Sequence, residues 1–205
     1  MELFIDTSYC NLLVYLLENK EIVKFKRITD VKSLSTKALE TIDNCLKEEK
    51  KEIKDVKRIY VVTGPGSFTG LRVGITIVKT IAYLKKIDVI GISSLEVMAS
   101  TITDTDIIIP YIDARRGYVY AGMYDKELSN IFEDRYISLQ SLKNSIPESK
   151  TYKFVSYDNL IENTYLPSEE VTRILEKHRN DNPMNIHGIK PNYLKKTEAE
   201  EKANV

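Results

Sequence analysis

The sequence predicts an α/β protein of two related lobes, the second short and divergent. Two observations carry this. Apolar periodicity along the first hundred residues reads β-β-β-α-β-α-β-α, and three strands followed by a helix begin again after a polar stretch. The chain has 205 residues, enough for one large domain or two small ones. The polar "TDTD", Thr103 to Asp106, marks the boundary, giving a first lobe over 1–104 and a second, with the C-terminal tail, over 105–205.

The first strand is Glu2 to Asp6. "NLLVYLL" and "EIVKFKRI", joined by the turn "ENK", form an antiparallel hairpin. A helix follows over Ser33 to Glu49. Its apolar residues Leu34, Ala38, Leu39, Ile42, Cys45 and Leu46 share one face, and the charged "KEEKKEIKD" is its solvated end. "VKRIYVVT" is a buried strand. "GPGSFTGLRVG" then leads into a helix that ends near Tyr83, and "DVIGIS" is the next strand. Ser93 and Glu96 have capping-box spacing for the short helix "SLEVMAS". The second lobe holds the strands "IIIPYID", "GYVYAGMY" and "IFEDRYISL", a short helix at Leu139 to Asn144 and the strand "YKFVS". The last helix is read as Ser168 to His178, with Glu169 and Glu170 in its first turn, where the helix dipole favours them.

The 30 basic and 30 acidic residues cancel, which disfavours autonomous, tight nucleic-acid binding. Cys10 and Cys45 are unpatterned and read as apolar fillers in a reducing compartment; "MELFIDTSYC" lacks the marks of a signal peptide, and no apolar run is long enough to span a membrane. These features predict a cytoplasmic protein without a membrane partner. His178 and His187 form no close His/Cys pair, so no metal site is expected.

Three segments carry candidate chemistry. In "VVTGPGSFTGLRVG", Gly64 and Gly66 flank Pro65, and Ser67 or Thr69 can cap the following helix. Such a loop is either an anion cradle or a tight strand-to-helix turn. It lacks the lysine and glycine spacing of a P-loop and has no G-x-G-x-x-G. "FIDTS" places Asp6, Thr7 and Ser8 at a strand end. Asp6 could orient a metal-bound water, or the three could bond the local backbone. Asp6, Thr7, Gly64, Gly66 and Ser67 are thus the weak candidates for nucleotide binding. In "YIDARRGYVYAGMYD", Asp113 and Gly117 frame a turn that projects Arg115 and Arg116, as ordinary turn residues or as a grip on an anion. No serine or cysteine nucleophile context and no carboxylate pair stand out, so no catalytic residue is assigned.

The helix after Ser67 has a narrow polar face of Arg72, Thr76, Lys79 and Tyr83, and its apolar stripe spans roughly 200°, against about 100° for an ordinary surface helix. One side covers its own sheet; the surplus meets the first helix, a partner, or both. Gly70 and Gly74 lie in that stripe, where a second backbone can come close.

"LFIDTS", "VVTGPGSFTGLRVG", "GISSLEVMA", "YIDARRGYVYAGMYD" and the terminal "KPNYLKKTEA", in that order, are similar to the TsaB family. That family is the dimerization subunit of the bacterial tRNA threonylcarbamoyladenosine machinery and a relative of the transferase TsaD. The resemblance implies two ribonuclease H-like lobes of the actin/Hsp70/sugar-kinase type. It implies a non-catalytic scaffold that pairs with a TsaD-type homologue and is joined by a TsaE-type ATPase. A homodimer would form when that partner is absent, and tRNA would be met indirectly through the complex. No intrinsic cofactor is implied, with room for a nucleotide at the subunit junction. The long first helix has no histidine, unlike the metal-binding helix of TsaD-like proteins. A glycoprotease activity finds no support in these residues. The expected partner interface is Leu34, Ala38, Ile42 and Cys45 of the first helix with Gly70, Leu71, Arg72, Gly74, Ile77, Val78 and Ile81 of the next. Arg72 and Lys79 would lie at its rim, and Gly74→Leu would abolish pairing without unfolding the chain. A stand-alone actin-like ATPase or small-metabolite kinase is the alternative.

Overall fold

A computed structural model describes residues 1–29 and 33–195. The elements in order are β1 (Glu2–Asp6), β2 (Leu12–Glu18), β3 (Glu21–Ile28), α1 (Leu34–Glu48), β4 (Arg58–Gly64), α2 (Phe68–Lys85), β5 (Asp88–Ser93), α3 (Ser94–Ala99), β6 (Ile107–Asp113), β7 (Tyr118–Tyr124), β8 (Asn130–Ser138), α4 (Leu139–Asn144), β9 (Tyr152–Val155) and α5 (Thr172–Lys177). The five strands of the first sheet run in the order β3-β2-β1-β4-β5 and the four of the second in the order β8-β7-β6-β9. In both, three antiparallel strands are followed by a strand parallel to the first of them. This is the ribonuclease H-like arrangement, laid down once in full and once shortened.

The first sheet sorts its side chains by strand alternation. Leu3 and Ile5 of β1, Val14 and Leu16 of β2, Ile59 and Val61 of β4 and Val89 of β5 enter a core closed by Ala38, Ile42 and Cys45 of α1 and Ile75, Val78 and Ala82 of α2. The opposite face carries an aromatic row across neighbouring strands. Phe4 meets Tyr15 edge-on at 5.5 Å, and Tyr15 stacks on Phe25 at 4.4 Å. The β2–β3 loop is Asn19 and Lys20, both at positive φ, as a two-residue type I′ hairpin requires. Part of the charged stretch after α1 forms a single 3-10 turn, Ile53–Asp55, because Ile53 packs against the core. In the second sheet, Ile107, Ile109 and Tyr111 of β6 and Val119, Ala121 and Met123 of β7 form a core with Leu142 of α4 and Phe154 of β9.

The chain does not divide once at 104/105. One compact unit is Met1–Ser94 with Thr172–Asn192, and the other is Leu95–Val171 with, among the described residues, 193–195. The returning segment belongs to the first unit for a physical reason: β5 is an edge strand, and edges need cover. Met184 N donates to Val89 O at 2.8 Å, Asn192 N donates to Thr63 O at 2.7 Å, and Ile189 is buried in the first core. The last helix begins at Thr172, four residues later than expected. Ser168 follows a proline and turns its hydroxyl to the Glu170 N–H at 3.3 Å, a local bond that competes with helix. Glu169 and Glu170 therefore precede the helix. No helix among the described residues is long and apolar enough to cross a membrane.

Candidate functional site

The strand-end turn and the glycine loop do come together, and they close on each other. Asp6 Oδ1 accepts from the Ser8 N–H at 2.7 Å. Burial pushes the Asp6 carboxyl above the usual carboxylate range, and its hydrogen bonds from Ser8 offset this only in part. Thr7 Oγ1 donates to Gly70 O at 2.8 Å, and Ser67 N donates to Ser8 O at 2.6 Å. Ser67 is the N-cap of α2, its hydroxyl accepting from Gly70 N at 3.2 Å, so the cap is Ser67 and not Thr69. The Ser94 hydroxyl donates to Pro65 O. Thr7 and Ser8 are 1% and 3% exposed.

Three glycines make this closure sterically possible. A Cβ on Gly66 would lie 2.2 Å from Ser8 O, on Gly70 2.0 Å from Thr7 O, and on Gly74 2.2 Å from Thr7 Oγ1. What approaches Gly70 and Gly74 is thus the chain's own first turn, the Thr7 backbone at Gly70 and the Thr7 side chain at Gly74. Gly74→Leu would push into Thr7, so it does not separate pairing from folding. Gly64 is held as well, its Cβ position 2.9 Å from Asn192 O. The amides of Ser8, Ser67 and Gly70, which a phosphate would use, already have internal acceptors.

The remaining expected interface residues divide by exposure. Ala38, Ile42, Cys45, Leu71, Ile77 and Val78 are buried in the unit's own interior, and Leu34 and Ile81 are partly buried against it. Burial removes these six from any outside face. Arg72 is exposed and lies over the Phe68 ring at 3.7 Å. Lys79 is not a rim residue, because Nζ donates to the carbonyls of His187 at 3.3 Å and Ile189 at 3.2 Å. The helices do present apolar surface at other positions. Leu39 and Phe68 are half exposed, Tyr83 is 64% exposed and Leu84 69% exposed. Leu39 and Leu84 stand at the borders of their apolar stripes, the one signal in the sequence that could have moved them outward. In the second unit, Arg115 and Arg116 project from the β6–β7 turn, Arg115 reaching Asp113 at 3.3 Å. No group of three or more His, Cys, Asp or Glu side chains among the described residues is placed to hold a metal.

Against known proteins, a family model for TsaD, a tRNA N6-adenosine threonylcarbamoyltransferase, matches residues 31–162. A Bacillus subtilis relative, the tRNA threonylcarbamoyladenosine biosynthesis protein TsaB, is 30% identical, with 98% of this chain and 96% of that protein covered. TsaB of Buchnera aphidicola from Schizaphis graminum is 32% identical over 60% of this chain and 59% of its own length. Among solved structures, a Pseudomonas aeruginosa protein described as similar to peptidase YeaZ superposes with a TM-score of 0.78 at 21% identity, covering 95% of this chain and 99% of that one. A second, YeaZ from the same organism, gives 0.73 at 20% identity over 94% and 99%.

Proposed function

The chain belongs to the TsaB family, and on that premise we propose that it is a non-catalytic subunit of tRNA threonylcarbamoyladenosine biosynthesis. It pairs with a TsaD-type transferase and so enables threonylcarbamoylation of the adenosine next to the anticodon. A TsaE-type ATPase joins the pair in the cytoplasm, and tRNA is met through the assembly. Without its partner the chain forms a homodimer. What supports a scaffold over an enzyme is the closed turn. Asp6 is spent on the Ser8 amide, and Thr7 and Ser8 are sealed beneath α2. An actin-like ATPase needs that same strand end open to phosphate. Any nucleotide of the complex then lies at the subunit junction.

The pairing surface on this reading is the exposed rim of α1 and α2. Co-purification with the TsaD homologue tests it. In a Leu39→Asp, Phe68→Asp, Leu84→Asp triple variant, pairing and tRNA modification should be lost while the melting curve of the isolated chain is kept. Retained pairing would place the interface elsewhere. Calorimetry with ATP and magnesium tests the alternative. Tight binding by the isolated chain, abolished by Asp6→Ala, would restore the ATPase or kinase reading.

A further inference from the structure

The two sheets end differently beyond their parallel strands. In the first, β4 is flanked by a fifth strand, β5, and β5 in turn bonds the returning chain at Met184. In the second, β9 takes the place of β4, parallel to the first strand of its sheet, and is itself the edge. Ile107 N donates to Thr151 O at 3.0 Å. In this register Lys153 and Val155 turn their backbone groups toward β6, and Tyr152 and Phe154 turn theirs outward. One end of the outward row is used. Tyr165 N donates to Phe154 O at 2.8 Å and Ser156 N donates to Tyr165 O at 3.0 Å, an isolated parallel bridge. The Tyr152 N–H, the Tyr152 carbonyl and the Phe154 N–H meet no backbone partner among the described residues.

A groove of about 780 Å³ opens beside these groups. Phe154 and Ile161, which line it, belong to the second core, and Ile146 packs against that core. The groove therefore opens onto the edge of the core. Tyr152 and Tyr165 also line it, each nearly half exposed, with Tyr152 edge-on to Phe154 at 5.6 Å. Lys153 is already neutralised: its Nζ is 2.6 Å from Asp104 Oδ2 and 4.5 Å from the centre of the Tyr165 ring. The other charged residues of the groove, Lys143, Glu148 and Glu162, are exposed and form no ion pair among the described residues. One cation against two carboxylates leaves the rim acidic.

We propose that this edge takes an extended, basic peptide segment of a partner protein, added beside β9 as β5 is added beside β4. Open donors and an acceptor at strand spacing are matched by a second extended backbone, the mode of β-strand addition. Alternate side chains of such a strand point to one face, so every second residue, if apolar, enters the groove over Phe154 and Ile161. Basic residues of the same segment answer Glu148 and Glu162. A second copy of this chain is the poorer fit. β9 is four residues long and Tyr165 already takes part of its edge, which leaves little backbone for symmetric pairing. The inference stands on the second unit alone and does not depend on the scaffold role.

The test is a titration of the intact chain, followed by amide NMR, with capped hexapeptides that alternate lysine with valine, isoleucine, leucine or phenylalanine. At least one should give saturable shifts at Tyr152, Phe154 and Tyr165 and slow hydrogen exchange at the Phe154 N–H. Methylating one alternating set of that peptide's backbone nitrogens should weaken binding about tenfold or more, and methylating the other set far less, because a strand turns only one set toward its neighbour. Glutamate in place of lysine in the peptide should also weaken binding about tenfold. Glu148→Lys, Glu162→Lys should reverse that preference at an unchanged melting temperature, since both side chains are exposed. No saturable shift with any of the peptides overturns the proposal. Equal losses from both methylated sets overturn it too, and reduce the groove to an apolar patch without strand addition. A dimer of the chain alone that Tyr152→Asp dissolves in light scattering assigns the edge to a second copy instead.

Discussion

In the first unit the turn after β1 folds Asp6 onto the Ser8 amide at 2.7 Å; in the second the turn after β6 folds Asp113 onto the Arg115 amide, also at 2.7 Å. The two turns leave equivalent strands of equivalent sheets. What surrounds them differs. The first runs beneath the N-terminus of α2, and Thr7 and Ser8 are buried. The second carries Arg115, Arg116 and Gly117 into solvent; among the described residues its sheet ends at β9 with no fifth strand, and the segment after β9 meets the turn through Asp158 Oδ2, which accepts from the Asp113 N–H at 2.7 Å. An aspartate that turns the chain is therefore common to both units and decides little. The helix laid over it, with glycines at contact spacing, turns one copy into a sealed joint.

The largest effect should come from forcing that joint open. Gly70→Ala raises helix propensity by up to about 1 kcal/mol, yet its Cβ would sit 2.0 Å from Thr7 O. Backbone cannot retreat as a flexible side chain can, so a net loss of about 1–3 kcal/mol is expected in urea titration, and Gly70→Leu should lose more. A neutral or stabilising Gly70→Ala would mean that the first turn is not held against α2. The counterpart in the open turn is Gly117→Ala. There a Cβ meets nothing within 4 Å, and only the φ of +77° resists it. That left-handed strain costs about 1–2 kcal/mol. The two substitutions thus separate steric closure from backbone strain. Ser67→Ala removes the cap of α2 and should cost about 1 kcal/mol by the same titration.

Strand and helix positions were largely legible, because each rests on periodicity within a dozen residues. β1 and β5 fall on Glu2–Asp6 and Asp88–Ser93, as the alternation and apolar runs indicate. The role of the glycines was half legible. Gly70 and Gly74 lie four residues apart, one turn of the helix, which predicts a close approach on one helix face. Helical spacing does not say which segment approaches, and here it is a turn more than sixty positions earlier in the chain. The return of Thr172–Asn192 to the first unit escaped for the same reason. It is written in long-range backbone bonds such as Met184 to Val89, which leave no local pattern. Burial of Ala38, Ile42 and Cys45 was readable as an apolar stripe; that the stripe is consumed by the unit's own sheet was not.

The smallest expected effect concerns Asp6 itself and carries a sign. Burial raises its folded-state pKa above the unfolded value, so the native state binds the proton more readily than the unfolded chain does. The resulting stabilisation is fully present below the unfolded pKa and fades as pH rises through the folded one. Above the folded pKa the ionised carboxylate has lost it. Asp6→Asn keeps an oxygen for the Ser8 N–H and removes the buried charge. The variant should therefore gain on the parent as pH rises through the folded pKa of Asp6, with the gap narrowing as acid protonates Asp6 in the parent. Paired melting curves from pH 4 to 8 read this directly. A gap that widens toward acid, or an Asn variant less stable above that pKa, would mean that the Asp6 charge holds the turn through the Ser8 amide, and that the closed joint of the first unit is electrostatic where its glycines indicate a steric one.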